Sequence, residues 1–138
     1  MAANTAPIYS KSGNVDWGIT ILAANTTTDL TSGTSYLVFT ADATNGGQLP
    51  RLRIRPLGTN VATVMRIWIN NGSTTGTAAN NTQWDEVTLP ATTVSQVAAL
   101  QGYDVPMNLS LDPGFKVYVT LGTAVAAGFD VTAPGGNY

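Results

Sequence analysis

Leu49-Pro50-Arg51-Leu52-Arg53-Ile54-Arg55-Pro56-Leu57 is the stretch on which the reading of this 138-residue chain turns. Strand side chains alternate between two faces, so Leu52 and Ile54 point one way while Arg51, Arg53 and Arg55 point the other. That is a half-buried strand with a cationic outer face. The same two-residue period recurs on both sides of it. Upstream, Trp17 to Ala23 places Trp17, Ile19 and Ile21 on one face, and Tyr36 to Ala41 sets Tyr36, Val38 and Thr40 opposite Leu37 and Phe39. Downstream, Val61 to Asn70 puts Val61, Met65, Ile67 and Ile69 on one side and Val64, Arg66 and Trp68 on the other. Trp84 to Leu89, Gln101 to Leu111, Phe115 to Leu121 and Ala127 to Ala133 continue the pattern.

Turn residues separate these runs at intervals of about ten, as in Asn45-Gly46-Gly47, Asn70-Asn71-Gly72-Ser73 and Asp112-Pro113-Gly114. Gly72 to Asn81 is nearly all Ser, Thr, Gly, Ala and Asn and is expected to be an exposed loop. Val94 to Leu100 fits a helical turn as well as an irregular strand. The pattern predicts a single-domain, all-β fold: an antiparallel, jelly-roll-like β-sandwich of about eight strands over residues 14–138, preceded by an extended N-terminal arm, residues 1–13.

Composition narrows the chemistry. The chain has no histidine and no cysteine, which removes the usual general base near neutral pH, the commonest metal ligand, the thiolate nucleophile and every disulfide. Charged residues make up 10% against a usual ~25%, while 21 threonines, 11 asparagines and 14 glycines supply the polarity. Hydroxyls and amides cost far less to desolvate than charges, so such a surface favours assembly. A net charge of -2 argues against sequence-independent nucleic-acid binding. No run approaches the ~18 apolar residues of a membrane span. The start Met-Ala-Ala-Asn-Thr-Ala-Pro-Ile-Tyr lacks a basic, then apolar, leader, so synthesis and retention in a cytoplasm are expected.

Three groups of residues are candidates for function. Arg51, Arg53 and Arg55, about 7 Å apart along a strand, form a ladder suited to carboxylates of a neighbouring subunit or an anionic ligand. The plainer alternative is a solvated strand face that discourages edge pairing. The arm from Ala2 to Gly13, with Asn4, Pro7, Ile8 and Tyr9, is suited to docking on a neighbour's sheet edge; the alternative is a frayed terminus. The acidic set is read as structural. Asp85 and Glu86 are adjacent and point to opposite strand faces, so they form no carboxylate dyad. Asp42 to Gly46 lacks the alternating oxygen ligands of a calcium loop, and Asp104, Asp112 and Asp130 fall at turns or strand ends. A nucleophile paired with Lys11 or Lys116 has no supporting motif, and neither a phosphate-binding glycine loop nor a nucleophile elbow is present. No enzymatic activity, cofactor or metal is expected.

The stretch Leu57-Gly-Thr-Asn-Val-Ala-Thr-Val-Met-Arg-Ile-Trp-Ile-Asn-Asn-Gly72, with Glu86-Val-Thr-Leu-Pro-Ala-Thr-Thr93, Asn108-Leu-Ser-Leu and Pro113-Gly-Phe-Lys-Val-Tyr-Val-Thr-Leu-Gly-Thr123, resembles small virion proteins of tailed bacteriophages, in particular head decoration, or cement, proteins. The resemblance runs over nearly the whole chain and consists of strand and turn signatures. It implies a protein made in the host bacterial cytoplasm that docks on the outer surface of the capsid, binds the major capsid protein, associates with itself as a homotrimer and stabilises the shell. On that basis Arg51, Arg53, Arg55 and the arm from Asn4 to Tyr9 are expected to contact the shell or a neighbouring subunit. The alternative is a tail or fibre adhesin or carbohydrate-binding module, with Trp68, Trp84 and Tyr103 as stacking platforms.

Overall fold

The computed structural model describes residues 10–138. Eight strands follow in chain order: β1 (Ser12–Ile21), β2 (Tyr36–Thr40), β3 (Gly47–Pro56), β4 (Thr63–Asn70), β5 (Asn81–Leu89), β6 (Tyr103–Leu111), β7 (Lys116–Leu121) and β8 (Phe129–Asn137). The sole helical element among the described residues is a single 3-10 turn, Ala78–Asn80. The strands form two four-stranded antiparallel sheets, ordered β1-β8-β3-β6 and β2-β7-β4-β5.

Period-two patterning drives this arrangement. In β6 Val105, Met107, Leu109 and Leu111 are buried while Asp104, Pro106, Asn108 and Ser110 are exposed. From the other sheet Val117, Val119 and Leu121 of β7 and Met65 and Ile67 of β4 face the same interior, and one apolar cluster joins residues of both sheets. Phe39 and Phe129 are its largest aromatic members, and both are fully buried. Removing a Phe ring from such a core costs about 3–5 kcal/mol.

Alternation fails where a strand bulges, because an extra residue flips every side chain beyond it. In β3 the five steps from Gln48 to Arg53 match only four on β8, from Gly136 to Thr132, so Leu49 and Leu52, three apart, are both buried. In β1 the shift lies between Asp16 and Ile19, at Gly18 with φ +60°, and it turns Trp17 out of the core to 87% exposure. Val61 is exposed because β4 begins only at Thr63. Residues 94–100 form no helix. β1 already runs at Ser12 and Gly13, residues assigned to the arm by sequence.

Each outer strand carries a feature that interrupts its free edge. β1 and β5 are bulged, β5 by Trp84 between Gln83 and Asp85; β2 is only five residues long and irregular at Leu37 to Phe39; β6 contains Pro106, which has no amide hydrogen, and Asn108 at φ +50°. Bulges, short strands and proline are how sheet edges are kept from pairing with other chains.

Candidate functional site

The arginine ladder is displayed as its alternation predicts. Arg51, Arg53 and Arg55 lie on the outer face of β3, with Leu52 and Ile54 fully buried beneath. β3 is an interior strand, flanked by β8 and β6, so the ladder guards no sheet edge and the edge-protection reading does not hold. Its charge is partly met within the chain. Asp104, opposite Arg53 on β6, accepts a hydrogen bond from Arg53 and lies 3.8 Å from the Arg51 guanidinium. These groups are well exposed, and such pairs contribute about 0–1 kcal/mol. Arg55 has no ion pair among the described residues; Asp130, its register partner on β8, accepts a hydrogen bond from the Thr20 hydroxyl instead. Asn4, Pro7, Ile8 and Tyr9 lie outside the described residues.

The fourth arginine is occupied differently. Arg66 donates through Nε to Glu86 at 2.8 Å and through Nη1 to the Asn25 carbonyl at 3.4 Å. It borders a shallow cleft of about 390 Å³, together with Val64, Thr88 and Gly122. With both contacts made inside the chain, this guanidinium is a clamp on the β1–β2 connection.

That connection explains Trp68, which sequence places opposite the core residues of β4 yet which is only 2% exposed. Its indole donates to the Thr120 hydroxyl on β7, and it lies outside the main core cluster. The β1–β2 connection is fixed at Leu121, at Arg66 and, through the Asp29 carbonyl, at Asn81 of β5, so it crosses the outer face of this sheet. Leu30 on the same connection is buried at φ 63°, a conformation bulky residues avoid. Asn25 orders the segment: its amide donates to the Ser32 and Thr34 carbonyls and accepts from Thr27. Gly33 is required here, since φ is +77° and a Cβ would meet the Asn25 side chain at 2.8 Å.

The other candidate stacking residues separate. Tyr103 is partly buried against the core, and Trp84 sits exposed on the bulge of β5. Trp17, the most exposed tryptophan, is on β1, which packs beside β2 at the opposite side of the molecule from β5. Trp17 and Trp84 therefore do not line one sugar site. The signal for Trp17 was the following glycine, whose positive φ makes the bulge.

The aspartates act on the backbone. Asp42 accepts hydrogen bonds from the Thr44 and Asn45 amides, closing the β2–β3 turn. Asp29 accepts from the Thr31 amide and hydroxyl. Those bonds hold both carboxyls below the usual carboxylate pKa, whereas partial burial pushes Asp16 above it. A depressed native pKa gives stability that is present above the unfolded value and lost as pH falls through the folded one; a raised pKa has the opposite sign. Asp42→Asn is therefore expected to melt below the parent at neutral pH and to converge with it in acid. Asp16→Asn is expected to melt above the parent at neutral pH. Thermal melts from neutral to acid pH check both; parallel curves at every pH would contradict the assignment. Among the described residues no group of three or more Asp or Glu side chains is placed to hold a metal ion, and no helix is long and apolar enough to cross a membrane.

No protein-family model, curated protein or solved structure matches the chain.

Proposed function

We propose that this chain is a non-enzymatic virion structural protein of a bacteriophage, a jelly-roll decoration protein that docks on the outer surface of the head and stabilises it. The observation that carries this reading is the strand order, β1-β8-β3-β6 facing β2-β7-β4-β5. Two nested Greek keys of eight strands generate such an order, an architecture found in viral capsid domains. The resemblance of the Leu57 to Gly72 and Pro113 to Thr123 segments to phage decoration proteins points the same way. Lectin domains use the architecture too, but the dispersal of Trp17, Trp68 and Trp84 leaves no shared aromatic platform.

Mechanism here means binding energy. The outer face of β3 presents Arg51, Arg53 and Arg55 from an interior strand whose underside is locked in the core. The strand backbone is already fixed, so ordering is confined to the side chains, and a guanidinium's planar fork loses less freedom per hydrogen bond to carboxylates of the major capsid protein than an ammonium would. Many copies on one shell then add modest contacts into a large stabilisation of the particle. Particles assembled without this chain are expected to release their DNA at a lower temperature than complete particles, and added purified chain is expected to restore the difference. Identical release temperatures with and without the chain would overturn the proposal.

A further inference from the structure

We propose that Trp17 is the apolar anchor of the docking face, and that this face takes a protein segment carrying both carboxylates and a large apolar side chain. The inference rests on the reading of the arginine ladder as a docking surface and names the partner chemistry that surface fits.

The register places the indole in the ladder's own row. At the β1 bulge Trp17 and Gly18 together oppose one residue of β8, Thr132, since Asp16 pairs with Ala133 and Ile19 with Val131. Thr132 pairs in turn with Arg53 on β3, and Arg53 with Asp104 on β6. Val131 and Ala133 are fully buried, so Thr132 belongs to the outer face, and the exposed Trp17 stands on that face beside it. One row further along, exposed Val15 pairs with Pro134. Neighbouring strands are about 4.8 Å apart, which sets Trp17 and Arg53 about 10 Å apart across β8. The Arg53 guanidinium leans the other way, onto Asp104 and against Gly102, and leaves the strip over Thr132 free. The outer face of the other sheet offers no such surface, because the β1–β2 connection crosses it.

Gly18 builds this display. Its φ of +60° makes the bulge, and a Cβ there would meet nothing nearer than Asp130 at 4.0 Å, so the glycine serves backbone conformation and relieves no crowding. Without the extra residue, alternation would set Trp17 on the inward face with Ile19 and Ile21. A ring left in water forgoes the burial that a regular strand would give it, and a docked partner supplies that burial.

Charge selects the occupant. Three of the six basic residues of a chain with net charge -2 stand on this face, and one carboxylate, Asp104, serves both Arg51 and Arg53. The complement is an acidic segment. A phosphate chain fits less well, because Asp104 and Asp130 flank the arginines and oppose an unbroken row of negative charge, and one aromatic ring stacks only one base. Spaced carboxylates beside an aliphatic or aromatic residue meet both halves of the face. Tryptophan and arginine are also the residue types that carry most binding energy at protein interfaces.

Retention of the purified chain on particles assembled without it tests the assignment. Trp17→Ser is expected to bind roughly 30-fold more weakly than the parent, Trp17→Phe within about threefold of it, and Trp84→Ser, on the other sheet, as tightly as the parent. Trp17→Ser is expected to melt within a few degrees of the parent, since so exposed a ring holds little of the fold. Trp17→Ser that binds like the parent where Arg55→Glu does not would overturn the anchor and leave head docking standing, whereas a parent that binds no particles would overturn both. Binding of single-stranded DNA more tightly than particles, or self-association of the chain, would give the face to another occupant if lost in Trp17→Ser, and either result overturns the proposal.

Discussion

Asn60→Ala is expected to lower the melting temperature by roughly 10–15 °C, the largest loss of stability from any single polar side chain in this fold. Asn60 is 3% exposed, and its amide satisfies three backbone groups of the β7–β8 connection at 2.9–3.0 Å. Alanine would leave the Ala127 and Gly128 amide hydrogens and the Gly128 carbonyl without partners. Each buried group so orphaned costs about 1–3 kcal/mol, and water entering the vacated space recovers only part, for a net of about 3–5 kcal/mol. Calorimetry of the purified variant checks the prediction; a shift of only a degree or two would mean that the connections hold together without this residue.

Reversal of a single charge on the arginine ladder is expected to have the largest effect on docking. Arg55→Glu leaves the contacts of Arg51 and Arg53 with Asp104 in place, since Arg55 has no ion pair among the described residues. Opposite capsid carboxylates, a cation that attracted them would become an anion that repels them. Interfacial charge changes of this kind cost about 2–5 kcal/mol, which is roughly a 30- to 5,000-fold loss of affinity per site. Copies of the variant should therefore wash off particles that retain the parent protein, while the isolated variant melts within a few degrees of the parent. Retention equal to that of the parent would remove the ladder from the docking surface.

Much of the framework was legible because the chain keeps strict alternation where strands are regular. Leu52 and Ile54 of β3, Val105 to Leu111 of β6 and Val117 to Leu121 of β7 occupy the faces that period-two reading assigns. Two of the failures share one physical origin. A bulge inserts a residue without leaving a signature in hydrophobicity, so Trp17 turns outward and Leu49 falls on the same side as Leu52. Trp68 misled for another reason: a segment more than thirty residues earlier in the sequence crosses the outside of its sheet, and no local pattern encodes that cover. The Val94 to Leu100 segment fitted a helical turn as well as an irregular strand, and with Val94, Val97, Ala98 and Ala99 all exposed it remains irregular.

Buried asparagines were the other blind spot. Asn25 and Asn60 read as ordinary loop residues, and only the folded arrangement shows that each satisfies several backbone groups. A chain with so few charges thus orders its connections with amides. The same economy explains the 72–81 segment, where the Asn80 side chain donates to the Thr74 carbonyl and the Asn81 side chain to the Thr75 carbonyl in place of an apolar anchor.

The copy number of this chain in purified virions, measured by quantitative mass spectrometry against the major capsid protein, tests the central claim most directly. A decoration role predicts hundreds of copies in fixed proportion to the shell lattice. A handful of copies, or none, would contradict it.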